Sequence, residues 1–246
     1  MGFSFFMKRG GTESPKPISK KENKIVETKK TVTEVASDQK PVYAFIDASN
    51  IFWGGRASLG FNVDYKKFLA YLNTTFAVTK TFYYGGIRTF DFEYSVLDNK
   101  PLDLAKLLLH LNDLQAKAKD EEKAPIERSL NKLNFYMLLE SYGYTMKIKP
   151  AKVYYGEEDE ERALPLLKAN CDVDLTFDLM RYMEQYSGAV VMTGDGDFAP
   201  VLSYLKYHDR KITVISRYDR TASEIRTIAG DDLVDLGKLR SRIILY

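Results

Sequence analysis

Five short β-rich apolar runs alternate along this chain with stretches whose apolar residues recur three and four apart, and that alternation restricts the fold more than any other feature. The runs are Val42 to Ile46, Lys80 to Tyr84, Tyr144 to Tyr155, Ala189 to Met192 and Lys211 to Ile215. The helical periods are Tyr65 to Leu72, Leu102 to Lys119, Ile126 to Tyr142, Leu175 to Tyr186 and Phe198 to His208. Runs this uniformly apolar are suited to burial on both faces of a sheet. A helix between two strands returns the chain to the same end of the sheet, so such strands run parallel. The expected class is α/β, a three-layer doubly wound parallel sheet, with Leu102 to Tyr142 as a helical pair hinged near Lys123-Ala-Pro125.

At 246 residues the chain can bury one substantial core. Residues 1–40 carry nine Lys/Arg against five Asp/Glu, and from Gly10 to Gln39 large apolar side chains are scarce. Such a stretch cannot bury enough surface to offset chain entropy, so we expect a disordered basic tail before a single domain over 41–246. The net charge of +2 and the tail surplus of four leave the domain at −2. A polynucleotide would therefore have to be met by local basic patches or bridging cations rather than by overall charge. Cys171 is the sole cysteine, which excludes an intramolecular disulfide and thiolate zinc sites and fits a reducing, cytoplasmic setting. With only His110 and His208, Ser-His-Asp catalysis and multi-histidine metal sites have little to draw on. The longest apolar runs fall well short of the roughly 20 residues that span a bilayer.

Acidic residues recur where strands end, which is where ligands gather in open α/β sheets. The first run ends in Ile46-Asp-Ala-Ser-Asn-Ile51, with Asp47 at the tip and Asn50 about one turn later. The fourth ends in Met192-Thr-Gly-Asp-Gly-Asp-Phe198, two carboxylates around a glycine that permits a tight turn. Asp172 begins the helix that runs to Tyr186, where partial positive charge favours a carboxylate. Each also has a structural explanation: Asp197 or Asn50 as helix caps, Asp174 and Asp178 as a solvated acidic helix face. Carboxylates gathered at one mouth repel one another unless a cation compensates, and hard oxygen donors select Mg²⁺ or Mn²⁺. Those ions serve phosphodiester hydrolysis.

The blocks Tyr43-Ala-Phe-Ile-Asp-Ala-Ser-Asn50, Cys171-Asp-Val-Asp-Leu-Thr-Phe-Asp178 and Val191-Met-Thr-Gly-Asp-Gly-Asp-Phe-Ala-Pro200 resemble, in order and spacing, the signature blocks of the NYN domain, of LabA-like type. That family is a branch of the PIN-like nucleases. The resemblance runs from about Pro41 to Gly237 and closes on Ala229-Gly-Asp-Asp-Leu-Val-Asp-Leu236, similar to the family's last strand. It implies a Rossmann-like sheet in the order 3-2-1-4-5, Mg²⁺ or Mn²⁺ as cofactor, and RNA as substrate. Carried over by position, Asp47, Asp172, Asp195 and Asp197 resemble the catalytic and metal-binding carboxylates, with Asn50, Thr193 and Asp178 in support. The family often has Lys-Gly-Val before the second acidic position. Here the stretch is Ala169-Asn-Cys171, with Lys168 one residue upstream as a candidate substrate contact. Arg217 and Arg220, just past a strand tip, are further candidates, as are Trp53 and Arg56 for stacking or phosphate contact.

The resulting expectation is a metal-dependent endoribonuclease acting on single-stranded or structured RNA, with a homodimer left open and no membrane partner. A phosphomonoesterase working through an aspartyl-phosphate would want Asp-x-Asp at the first strand, and this chain has Asp47-Ala-Ser49. A non-catalytic RNA-binding or scaffold protein retaining the fold is the other alternative.

Overall fold

The structure, a computed structural model, describes residues 40–48, 60–98, 100–154 and 166–245. The tail expected over residues 1–40 lies almost wholly outside the described residues, as do Asn50, Trp53 and Arg56.

The central sheet is parallel throughout. Its strands are β1 (Val42–Asp47), β2 (Val78–Ile87), β3 (Tyr144–Pro150), β6 (Gly188–Met192), β7 (Lys211–Ser216) and β8 (Leu233–Asp235), in the order β3-β2-β1-β6-β7-β8. Numbered within the sheet this is 3-2-1-4-5-6. The expected order is extended by β8, which falls inside the stretch that resembles the family's closing strand. Helices α1 (Tyr65–Phe76), α2 (Leu104–Lys117), α3 (Asp120–Tyr142), α4 (Asp172–Arg181), α5 (Ala199–Tyr207), α6 (Ser223–Ala229) and α7 (Arg240–Ile243) surround it. No described helix is long and apolar enough to cross a membrane.

Side chains alternate between the faces of a strand, and this period of two divides the apolar residues into two cores. Ala44, Ile46, Tyr83, Val190, Met192 and Ile215 pack with Phe68 and Leu72 of α1, Leu107 and Leu111 of α2, and Leu133, Tyr136 and Leu139 of α3. Phe45, Phe82, Tyr84, Val191 and Val214 pack on the other face with Leu175 and Leu179 of α4, Leu202 and Leu205 of α5, and Ile225 of α6. The helices thus form the two outer layers. Asp47 shares the parity of Phe45, so the tip of β1 belongs to the α4 side.

Two elements depart from expectation. The helical pair breaks at Ala118 and Lys119, both extended, and not near Pro125, which lies inside α3. Three acidic residues, Asp120 to Glu122, stand in the first turn where the helix dipole favours them, and the Glu122 carboxylate accepts from Lys119 N–H at 3.0 Å. Those starting signals lie five residues ahead of the proline, whose N–H is lost within the second turn. The run Tyr144 to Tyr155 is likewise two strands: β3 ends at Pro150, and β4 (Lys152–Tyr154) pairs antiparallel with β5 (Leu166–Lys168) in a separate small sheet.

This small sheet delivers the chain to α4 along the end of β2. There Tyr136 Oη donates to Gly86 O at 3.0 Å, and a Cβ built on Gly86 would come within 2.0 Å of Ala169 Cβ. The contact is with a short side chain next to the backbone, so neither partner can swing aside. Gly86→Ala should lower the stability of the fold by about 1–3 kcal/mol through overpacking. The shift of the midpoint in urea denaturation checks this, and an unchanged midpoint would mean that the 169–171 connection yields freely.

Candidate active site

β1 and β6 lie side by side at the switch point of the sheet, with Ile46 in register with Met192. They therefore end at the same level. Asp47 is the last residue of β1, and β6 is followed at once by Thr193-Gly194-Asp195. Thr193 is fully buried and its Oγ1 accepts from Asp195 N–H at 3.2 Å. The Asp195 carboxylate accepts in turn from Asp197 N–H at 3.0 Å and caps the short 3₁₀ turn Gly196–Phe198. The cap in this loop is thus Asp195 rather than Asp197. Its oriented carboxylate keeps a second oxygen, and both Asp195 and Asp197 are exposed.

Gly194 holds this loop against the next one. A Cβ there would meet Ser216 Oγ at 2.6 Å and the carbonyl oxygen of Arg220 at 3.3 Å, while Ala222 N–H donates to Gly194 O at 2.9 Å. The 217–222 segment is thereby brought to the edge of the 193–198 loop. Arg220 is exposed there. Arg217 is engaged by its neighbour, with Nε donating to Asp219 at 2.9 Å, which pulls the Asp219 carboxyl below its ordinary value.

Asp172 is the first residue of α4, and its N–H is held by Asn170 Oδ1 at 2.8 Å. Its carboxyl is pushed above the ordinary carboxylate value, first by partial burial and then by the charges of Asp47, Asp195 and, more weakly, Asp197. This result carries the site: three carboxylates delivered by two strand ends act on a fourth delivered by a helix start. Cys171, buried beside it, is pushed up to about 12 by burial, moderated by Lys149 and reinforced by Asp174, Asp47 and Asp172. At neutral pH it is an unreactive thiol.

Asp178 does not join this group. It is buried, accepts from Tyr84 Oη at 2.9 Å, and is ion-paired with Lys147 at 3.1 Å and Arg181 at 2.6 Å. Asp174 pairs with Lys149 of β3. The face shared by Asp174 and Asp178 is therefore an ion-paired seam against β3, buried at Asp178 and open to solvent at Asp174. Lys147 and Lys149 were not singled out from the sequence; their alternation on one strand was the available signal. Lys168 lies in β5, paired with Lys152, and its side chain is outside the described residues.

No described ion pair neutralises Asp172, Asp195 or Asp197, in contrast to Asp174 and Asp178. Oxygen donors under mutual repulsion suit a hard divalent cation. Among the described residues no three acidic or histidine side chains close tightly enough to cage an ion unaided.

Residues 41–236 match the family model of the NYN domain. Over 105 residues the chain is 35% identical to the low amplitude and bright protein LabA of Synechococcus elongatus, covering 43% of this chain and 55% of that protein. The match thus spans about half the length of that relative. A protein of unknown function from Vibrio parahaemolyticus has the same fold, with TM-score 0.51 at 18% identity over 85% of this chain and 99% of that one. The T5 D15 protein, co-crystallised with metal ions, aligns at TM-score 0.40 and 13% identity over 76% of this chain and 59% of that one.

The electrostatics of Asp172 have a consequence for stability. Its pKa is higher folded than unfolded, so the folded chain binds the proton more tightly and ionisation opposes folding. The penalty is absent below the unfolded value of about 4, grows as pH rises through the native pKa, and is fully present at neutral pH. In chelator, Asp172→Asn should raise the melting temperature at pH 7, and the gain should vanish near pH 4. A gain of equal size at both pH values would show that charge is not its cause.

Proposed function

Because the chain belongs to the NYN domain family, whose model covers residues 41–236, we propose that it is a metal-dependent endoribonuclease working through Asp47, Asp172, Asp195 and Asp197. The observation that supports this reading most directly is the raised carboxyl pKa of Asp172, set first by burial and then by the charges of Asp47, Asp195 and Asp197, beside the strand ends that deliver them. The residues that would hold Mg²⁺ or Mn²⁺ are these four carboxylates. When bound, such an ion supplies positive charge for the phosphodiester and lowers the pKa of a water.

The chain's own contributions are positional. The parallel register of β1 and β6, which pairs Ile46 with Met192, ends the two strands together, with Asp47 next on one and Asp195 three residues on along the other. The Thr193 hydroxyl and the Asp197 N–H hold the 195–197 turn and orient the Asp195 carboxylate. The N-terminal turn of α4 presents Asp172 with free N–H groups nearby, which also favour an anionic phosphate. Arg220, exposed at the rim, and Lys168, one turn of chain before Asp172, are the proposed phosphate contacts. Asn50 is proposed in support of Asp47. RNA is the proposed substrate because the family resemblance implies it.

The test is cleavage of labelled single-stranded RNA and of matching DNA by purified protein, with Mn²⁺, with Mg²⁺ and with chelator. Cutting of RNA should require the metal, and Asp172→Asn or Asp195→Asn should reduce it at least about 100-fold, the equivalent of losing about 3 kcal/mol of transition-state stabilisation. Tight RNA binding that survives both substitutions, without cutting under any metal, would establish the non-catalytic binding protein in its place. Preferential cutting of DNA would retain the mechanism and replace the substrate.

A further inference from the structure

α4 is apolar on two opposite sides. One side, Leu175 and Leu179, is fully buried in the core. The other carries Val173, Phe177 and Met180, which are 76%, 59% and 38% exposed. At about 100° per residue these three fall within about 60° of one another and nearly opposite the core pair. Their spacing of four and then three is that of consecutive seam positions in a coiled coil. The Arg181 guanidinium lies over the Phe177 ring, 5.2 Å from its centroid, and all three side chains nonetheless stay exposed to solvent.

The charges beside this stripe identify what fits it. Asp174 and Arg181 are seven residues apart, so they occupy the same flank of the stripe near opposite ends of the helix. In an antiparallel helix pair with twofold symmetry each flank meets its own counterpart, reversed end to end. Val173 then meets Met180, Phe177 meets its equivalent at the axis, and Asp174 meets Arg181 twice. A parallel pair would set this flank against the partner's opposite flank, so Asp174 and Arg181 would not meet. The antiparallel arrangement also sets the two helix dipoles head to tail. Both groups are already ion-paired within the chain, Asp174 with Lys149 and Arg181 with Asp178. Arg181 has five N–H donors and a carboxylate accepts at two oxygens, so each has capacity for a second contact. A nucleic-acid strand fits less well, because Val173 and Met180 offer no stacking surface and the nearby cations Lys147, Lys149 and Arg181 are all ion-paired with Asp174 or Asp178, which leaves a surplus of only one charge.

We propose that the chain forms a twofold homodimer through the solvent face of α4, with Phe177 on the symmetry axis. The seam begins one residue after Asp172, so the second copy borders the carboxylate mouth. The interface does not depend on the nuclease reading and is tested without metal or RNA.

Sedimentation equilibrium of the full chain over a concentration series should show a monomer–dimer equilibrium. Phe177→Glu, on an exposed position, should keep the far-UV spectrum and weaken association at least about 30-fold. Phe177→Cys should form an intermolecular disulfide on mild oxidation, since the native Cys171 is buried, whereas Leu109→Cys on exposed α2 should not. A chain that stays monomeric throughout the series overturns the proposal. So does a dimer that Phe177→Glu leaves intact and Phe177→Cys fails to cross-link, which would place the interface elsewhere. A monomer whose RNA binding falls in Phe177→Glu would make the stripe a nucleic-acid surface and overturn it as well.

Discussion

The backbone ladder between β1 and β6 is the constraint on which the site depends. Five register pairs, Val42 with Gly188 through Ile46 with Met192, bring the two strands to an end together. A slip of one residue would turn Asp47 from the α4 face to the opposite one and send the buried apolar residues of β1 to the wrong core. The same pairing that sorts Phe45 from Ala44 and Ile46 therefore also aims a carboxylate, and the cost of misplacing the carboxylate is the cost of mispacking the strand.

Two kinds of acidic residue then share α4, and the difference between them is compensation. Asp174 and Asp178 face β3, where Lys147 and Lys149 stand two apart on one strand face and meet them. Asp172 faces the switch point, where its neighbours are Asp47, Asp195 and Asp197 and its proton is held more tightly as a result. A buried carboxylate with a hydroxyl and two cations around it rigidifies the contact between α4, β2 and β3. Four carboxylates around an opening do the reverse and leave the fold a repulsion that a proton or an added cation relieves. The first arrangement is scaffold; the second has the character of a binding site.

The sheet was legible because β1, β2, β6 and β7 are buried on both faces and so are apolar almost without interruption. β8 is three half-exposed residues and has no such signature, and family resemblance alone pointed to its neighbourhood. The start of α3 was misplaced because a proline was weighed above three acids and a capping glutamate, although the helix holds through Pro125. The burial and ion pairing of Asp178 were not legible for a different reason. Its partners Tyr84 and Lys147 come from 94 and 31 positions earlier, and no local pattern records a pairing made across the sheet. The convergence of Asp47, Asp172, Asp195 and Asp197 was likewise invisible to spacing, and rested on the rule that ligands collect at the strand switch point.

α4 shows how much one ten-residue helix can be asked to carry. Its first residue belongs to the carboxylate mouth, its inner face to the core, its β3 flank to an ion-paired seam, and its outer face, apart from the Arg181 guanidinium over Phe177, to solvent. Exposed apolar residues on a helix that already buries a full stripe contribute nothing to the stability of the monomer and add an association hazard. Lysine or glutamate at 173 and 180 would serve the helix as well and keep it soluble, and a second copy of the domain laid on this face is what we propose gives the apolar identities there a use.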